Sequence, residues 1–370
     1  AMSINVAGGD NAGYDSLADG VISSFHHELF HNLQRNINQH NGGNRTVDGA
    51  DSAWRFFSEG TAVLASSIGQ LQAAPMPRTY LVRANDFIGQ GDSTGDLNES
   101  YRDMSPYSAA IYWRFLYEQC ATAPDGRLDP AAGMGLVHRA LTILYSREVV
   151  DIATSTDLVR ALPEIIDRAL AGSPCPFDTY EESLVAFSRA LYALRLEDGR
   201  CVMPGTPAGC GFYDPHNLYN APPIETVSYS GTETLHGGEI PSSFGIDFID
   251  VTLSDAPDGR PLTVEFHQAP GSVSQFTVEV RELKYVERGP SLRVSSTSRA
   301  VQGTLKLRSP NRKLSYVVPA VDKADYDRLG LIITRVDADE HLDPLGAYTV
   351  VLRPSESNRL VCAPLSASRC

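Results

Sequence analysis

The sequence predicts an α+β chain of two domains, a mainly helical one over residues 1–220 and an antiparallel β-sandwich over residues 221–370. Three observations predict it. Apolar residues recur with a period near 3.6 between residues 15 and 202, and beyond residue 223 the period switches to two. The stretch between them, 201–223, is rich in Pro, Gly, Asn and Tyr. The length of 370 residues suits two domains at roughly 100–200 residues each. With 42% hydrophobic and 21% charged residues, either half can bury a core of its own.

A first helix is predicted over residues 16–40, stopped by Asn41-Gly42-Gly43, residues suited to a left-handed C-cap. A second starts after Asp51 or Ser52, each a good N-cap, and aligns Trp54, Phe57, Leu64 and Ile68 on one stripe. Residues 70–105 read as loop, and the Asp-rich string GQGDSTGDLNES there lacks the 1, 3, 5 spacing of a calcium loop. Four further helices are expected over 107–119, 133–145, 156–171 and 179–196. The second domain carries seven short alternating segments, at 244–254, 261–269, 275–283, 303–309, 313–321, 329–337 and 347–354. Whether the sandwich is of immunoglobulin or jelly-roll type stays open.

Composition excludes several function classes. The 31 Lys and Arg against 45 Asp and Glu give a net charge of -14, which repels phosphate backbones and anionic lipid, so neither nucleic acid nor a membrane surface is an expected partner. No apolar run approaches the roughly 18–20 residues of a membrane span. The six cysteines, Cys120, Cys175, Cys201, Cys210, Cys362 and Cys370, include no CxxC pair and point to disulfides in an oxidising compartment, hence a secreted or extracytoplasmic protein. Local closure pairs Cys201 with Cys210 and Cys362 with Cys370, leaving Cys120 with Cys175. Residues 1–20 carry no apolar signal segment, so a processed or truncated chain is expected.

The chemistry concentrates in FHHELFHNLQRN, where His27, Glu28 and His31 form HExxH inside the first helix. Residues four apart share one helix face, with Cβ atoms roughly 6 Å apart, so both imidazoles can meet one tetrahedral metal ion. Glu28 is then placed beside the ion's open position, where a carboxylate can deprotonate a bound water. In the second helix Glu59 sits among apolar and small residues, WRFFSEGTAVLAS, and a carboxylate there needs a partner. Two histidines and one glutamate leave zinc's fourth position to water, the donor set of catalytic sites.

These two motifs, HELFH and Glu59-Gly60-Thr61-Ala62, resemble the gluzincin metallopeptidases, and HELFHNLQ is similar to secreted bacterial members with C-terminal β-sandwiches. The resemblance spans residues 21–119, with only the two motifs specific. It implies a zincin-like catalytic domain, Zn2+ held by His27, His31 and Glu59, Glu28 as general base, and a peptide or protein substrate. In similar enzymes a tyrosine opens the helix that donates to the oxyanion, which points to Tyr107, with Tyr112 and Tyr101 nearby and His138 on the next helix as second choice. The sequence departs from the family upstream: only about 25 residues precede the motif, so the edge strand that aligns substrate is expected from elsewhere.

The leading expectation is therefore a zinc-dependent endopeptidase. A Gly-x-Met-Glu-Asn string for a substrate amine, as in aminopeptidases of the clan, is absent. The competing expectation is a non-catalytic surface or adhesion protein on a peptidase-derived scaffold, against which an intact Glu28 argues. His26 points about 100° away from His27 and reads as a packed residue. His40, His216, His236, His267 and His341 read as ordinary histidines.

Overall fold

The computed structural model describes residues 17–40, 52–69, 78–89, 109–121, 129–146, 155–196, 200–201, 211–213, 218–240, 243–270, 272–286, 293–295, 300–306, 313–318, 321, 323, 326–337 and 346–355. The chain divides into two compact units, Ala1–Pro223 with Ser242–Ile246, and Ile224–Pro241 with Asp247–Cys370. The architecture is mixed α+β: seven helices, then strands in two larger sheets, among the described residues. No described helix is long and apolar enough to cross a membrane.

The helices of the first unit are α1 (Leu17–His40), α2 (Ser52–Gly69), α3 (Arg78–Gly89), α4 (Ala110–Ala121), α5 (Pro130–Tyr145), α6 (Ser155–Leu170) and α7 (Tyr180–Ala193). Their ends follow from local chemistry. Asp129 caps α5 by accepting from the amides of Ala131 and Ala132, with Pro130 at the first helical position, where its missing N–H costs nothing. Thr179 caps α7 through the Glu182 amide, while Glu182 reaches back to the Asp178 amide, a reciprocal capping arrangement. The two-residue strands β1 (Arg200–Cys201) and β2 (Phe212–Tyr213) pair in parallel beyond α7.

Helix α4 is buried on every side except at Gln119, as befits the centre of a helical core. It packs against α2, α3, α5 and α7. Trp113 at its middle donates from Nε1 to the Phe56 carbonyl of α2 at 3.2 Å and lies among the rings of Phe56, Phe57 and Tyr112. On the other side Gly133 lets α5 approach α4: a Cβ there would lie 2.6 Å from the Tyr117 ring and 2.8 Å from its carbonyl. A disulfide joins Cys120 at the end of α4 to Cys175, ahead of α7, as expected from the sequence. Closing a loop across 55 positions restricts the unfolded chain by about 4 kcal/mol.

In the second unit the strands are β3 (Glu225–Ser228), β4 (Thr234–Glu239), β5 (Ile246–Thr252), β6 (Leu262–Gln268), β7 (Phe276–Val286), β8 (Arg293–Ser295), β9 (Ala300–Lys306), β10 (Lys313–Val318), β11 (Arg328–Arg335) and β12 (Ala347–Pro354). One sheet runs β10-β6-β12-β4; the other runs β3-β5-β11-β7-β8, with β9 also on β7. Residues two apart on the strands of both sheets, among them Ile249 and Val251, Val264 and Phe266, Leu331 and Ile333, Val350 and Leu352, meet in one buried cluster. Phe266 stacks on Tyr348 within it.

Three features correct the sequence reading. Residues 78–89, expected as loop, form α3, whose Tyr80, Ala84, Phe87 and Ile88 are buried at helical spacing. Pro75 and Pro77 before it and the glycines after it masked that pattern. Two strands, β3 and β4, precede the first expected one, because their sequences ETVS and TLHGGE carry few apolar residues. The β3–β5 pair is parallel, so the sheets are not purely antiparallel.

Candidate metal centre

Helix α1 turns a mixed face toward α2. Phe30, Gln34, Ile37 and Asn38 are buried on it, and His27 and His31 lie on the same side one turn apart. The opposite side leaves Ile22, Phe25, Leu29 and Leu33 exposed. Helix α2 presents Glu59 to the histidines. Its neighbour Gly60 permits the close approach of α4: a Cβ at that position would lie 3.0 Å from Trp113 Cδ1 and 3.3 Å from Nε1. The glycine, with the Trp113 bond to Phe56, anchors α2 where Glu59 leaves it.

Three donor atoms converge. Glu59 Oε2 lies 3.1 Å from His27 Nε2 and 3.4 Å from His31 Nε2, and the two Nε2 atoms are 3.0 Å apart. The imidazoles meet edge to face, ring centroids 4.6 Å apart. Tetrahedral zinc with N and O bonds near 2.05 Å has ligand-to-ligand edges of about 3.3 Å, so this triangle is the size such an ion needs. The side chains are 17%, 14% and 21% exposed for His27, His31 and Glu59, which leaves a path for water to the centre. Among the described residues this is the one group of three or more His, Cys, Asp or Glu whose ligand atoms could hold a metal together.

Without an ion the same atoms must share protons. Burial pushes the Glu59 carboxyl up, but hydrogen bonds from His27 and His31 and the attraction of both rings outweigh it and hold the group down at about 2. Burial likewise opposes the His31 imidazolium, yet the Glu59 and Gln34 bonds and the charges of Glu59 and Glu28 win and raise its pKa. Glu28 itself is exposed, one residue after His27 and near enough for its charge to act on His31.

No protein-family model and no curated protein matches the chain. Solved structures similar to part of it include Aeromonas hydrophila PliG, a periplasmic inhibitor of g-type lysozyme, at 12% identity, covering 36% of this chain and 97% of that one, TM-score 0.20. CorA, a surface-associated copper-binding protein of Methylomicrobium album BG8, is 12% identical over 36% of this chain and 98% of that one, TM-score 0.21. A tomato aspermy virus structure is 13% identical over 37% of this chain and 84% of that one, TM-score 0.21.

The other expected site residues fare differently. Tyr107 and Tyr101 lie outside the described residues, as do Cys210, Cys362 and Cys370 and the Asp-rich string. Tyr112 is fully buried, its hydroxyl paired with Ser183 Oγ at 2.8 Å, which corrects its reading as an oxyanion donor: it belongs to the core. His138 is exposed on α5. Sequence reasoning missed Gln34, which accepts from His31 Nδ1 at 2.8 Å and donates from Nε2 to the Ser58 carbonyl at 2.9 Å and to Thr61 Oγ1 at 2.8 Å. The signal was its place three residues after His31, a polar side chain on the helix face that the apolar Phe30 and Ile37 bury.

Proposed function

We propose that the chain is a secreted or extracytoplasmic zinc-dependent endopeptidase of gluzincin type. The observation that carries the reading is the convergence of His27, His31 and Glu59 from two helices at 3.0–3.4 Å, with Glu28 following the first of them. The donors fit zinc by type, number and spacing, and their partly exposed side chains leave room for a fourth, exchangeable ligand. When bound, zinc supplies Lewis acidity, bringing a coordinated water to a pKa near 7 and polarising the scissile carbonyl.

The chain's own residues do the rest. Glu28 takes the proton of the attacking water and passes it to the amine as the C–N bond breaks, so one carboxylate serves as base and then as acid. Gln34 and the α2 carbonyl it grips keep the two ligand helices in register. Tyr107, from the family resemblance, is the oxyanion donor in this reading. The second unit, read as a β-sandwich of two face-packed sheets, is an accessory or substrate-positioning module. The Cys120–Cys175 disulfide supports an oxidising compartment.

The test is elemental analysis beside a peptidase assay. Purified protein equilibrated with zinc should retain one ion per chain and cleave unstructured peptides, and His31→Ala should lose both. Absence of zinc after equilibration would overturn the assignment, and one zinc without peptidase activity would favour a binding protein on the same scaffold.

A further inference from the structure

Gln34 occupies a position where every donor and acceptor can be assigned, and the assignment reaches the candidate metal centre. Its side chain is fully buried between α1 and α2. On the α2 side it meets the Ser58 carbonyl at 2.9 Å, which can only accept. It also meets Thr61 Oγ1 at 2.8 Å, and that hydroxyl already donates its proton to the Phe57 carbonyl. The amide group facing α2 must therefore be the NH2. A flipped Gln34 would still donate one N–H to an unprotonated His31 Nδ1, but it would press its oxygen against the Ser58 carbonyl oxygen, leaving two buried acceptors in contact with no proton between them.

With NH2 toward α2, the Gln34 oxygen faces His31 Nδ1 at 2.8 Å, and an amide oxygen only accepts. The proton of that bond therefore sits on Nδ1. A neutral imidazole carries one ring proton, so Nε2 is left with its lone pair, and Nε2 is the atom aimed at His27 and Glu59. We infer that Gln34 is a positioning residue that locks His31 in its Nδ1–H tautomer, holding the Nε2 lone pair ready for a metal ion. The inference rests on the zinc reading above and extends it to a residue outside the ligand set. The device also couples the two ligand helices, since the same amide that orients His31 on α1 is anchored at Ser58, next to Glu59 on α2. Partners that orient a metal-bound histidine are worth 10–100-fold in metal affinity.

The test combines metal affinity with a direct reading of the tautomer. Zinc affinity is measured by competition with a chromophoric chelator for the wild type, Gln34→Leu and Gln34→Glu. Leucine removes the acceptor; glutamate keeps an oxygen for His31 Nδ1, and its second oxygen, protonated in this buried position, donates to the Ser58 carbonyl. Gln34→Leu should weaken zinc 10–100-fold, and Gln34→Glu should recover most of that loss. In parallel, 15N-labelled histidine in the full metal-free chain, raised in pH until the His31 signals stop moving and its ring is neutral, should show His31 with its proton on Nδ1 in the wild type and a mixture in Gln34→Leu. Equal loss of zinc in both variants would mean a merely structural role and overturn the proposal. So would a wild-type His31 protonated on Nε2, a readout that holds even if Gln34→Leu does not fold. If the wild type binds no zinc yet shows the Nδ1–H tautomer, the function reading fails and the lock stands.

Discussion

Replacing Glu59 by glutamine separates the metal-free state of the candidate centre from the zinc-bound state proposed for it. In the metal-free protein the carboxyl is held at about 2 against an ordinary 4.5, because hydrogen bonds from His27 and His31 outweigh its burial. A displacement of about 2.5 units at 1.36 kcal/mol each is about 3 kcal/mol of stabilisation. The rise of His31 is the other side of the same contact and is counted once. The depressed Glu59 contributes stability that is present above pH ~4.5 and lost as pH falls toward 2. The raised His31 contributes stability that is full below pH ~6.5 and lost as pH climbs through its folded value. The metal-free wild type should thus gain most from this contact between about pH 4.5 and 6.5. Glu59→Gln should lower its Tm there by roughly 6–12 °C at most, at about 2–4 °C per kcal/mol for a unit of this size, and the gap should narrow toward pH 9. Zinc inverts the trend, since its binding requires His31 without a ring proton on Nε2, so the Tm gain from zinc should grow between pH 5 and 8 and vanish in the variant. The assay is differential scanning fluorimetry across pH with chelator and with zinc. Parallel wild-type and variant curves in chelator would refute the electrostatic account.

Other perturbations act on groups in the helical unit around the same centre. Glu28→Gln should keep one zinc per chain while lowering the cleavage rate by about 10²–10⁴-fold, read by elemental analysis beside single-turnover kinetics; full activity would remove the general-base role. Gly60→Ala should destabilise by about 1–2 kcal/mol in urea melts despite alanine's better helix propensity, because Trp113 is wedged among Phe56 and Phe57 and cannot yield to a Cβ at 3.0 Å. It should weaken zinc as well, through Glu59. Breaking the Cys120–Cys175 bridge by Cys120→Ser with Cys175→Ser should cost about 4 kcal/mol, and non-reducing peptide mapping should recover the bridge in the wild type.

What could be read from the sequence is what is encoded along the chain. Helices α1, α2 and α4 to α7 and the strands β5 to β7 and β9 to β12 announce themselves by period, the pattern that burial against a core selects, whereas β8 lies between two expected segments. Helix α3 escaped because its apolar positions sit within 12 residues bounded by Pro and Gly, too short a window for the pattern to outweigh the breakers. The strands β3 and β4 escaped for the opposite reason. β3 is exposed except at Val227 and β4 alternates between exposed and half-buried positions, so no buried apolar face marks either, and their pairing with β5 and β12 is a tertiary choice.

The same distinction runs through the candidate site. His27 and His31 are legible because a four-residue spacing is a local geometric fact, and Glu59 because an acid in an apolar helix demands a partner. Gln34 carries a fainter mark, its place three residues after His31 on the buried face: glutamine is a common helix residue, and its meaning depends on which atom of a different helix it faces. Only when α1 lies on α2 does the Ser58 carbonyl dictate the direction of the Gln34 amide, and through it the proton on His31. Ligand types are therefore local information, whereas the tautomer that makes a histidine a ligand is tertiary information. The consequence can be tested at Thr61. Thr61→Val removes one acceptor of the Gln34 amide and leaves the Ser58 carbonyl in place. The amide keeps its orientation, so the His31 tautomer should persist and zinc should weaken by less than in Gln34→Leu. A Thr61→Val loss as large as that of Gln34→Leu would show that the network acts by packing, not by directing a proton.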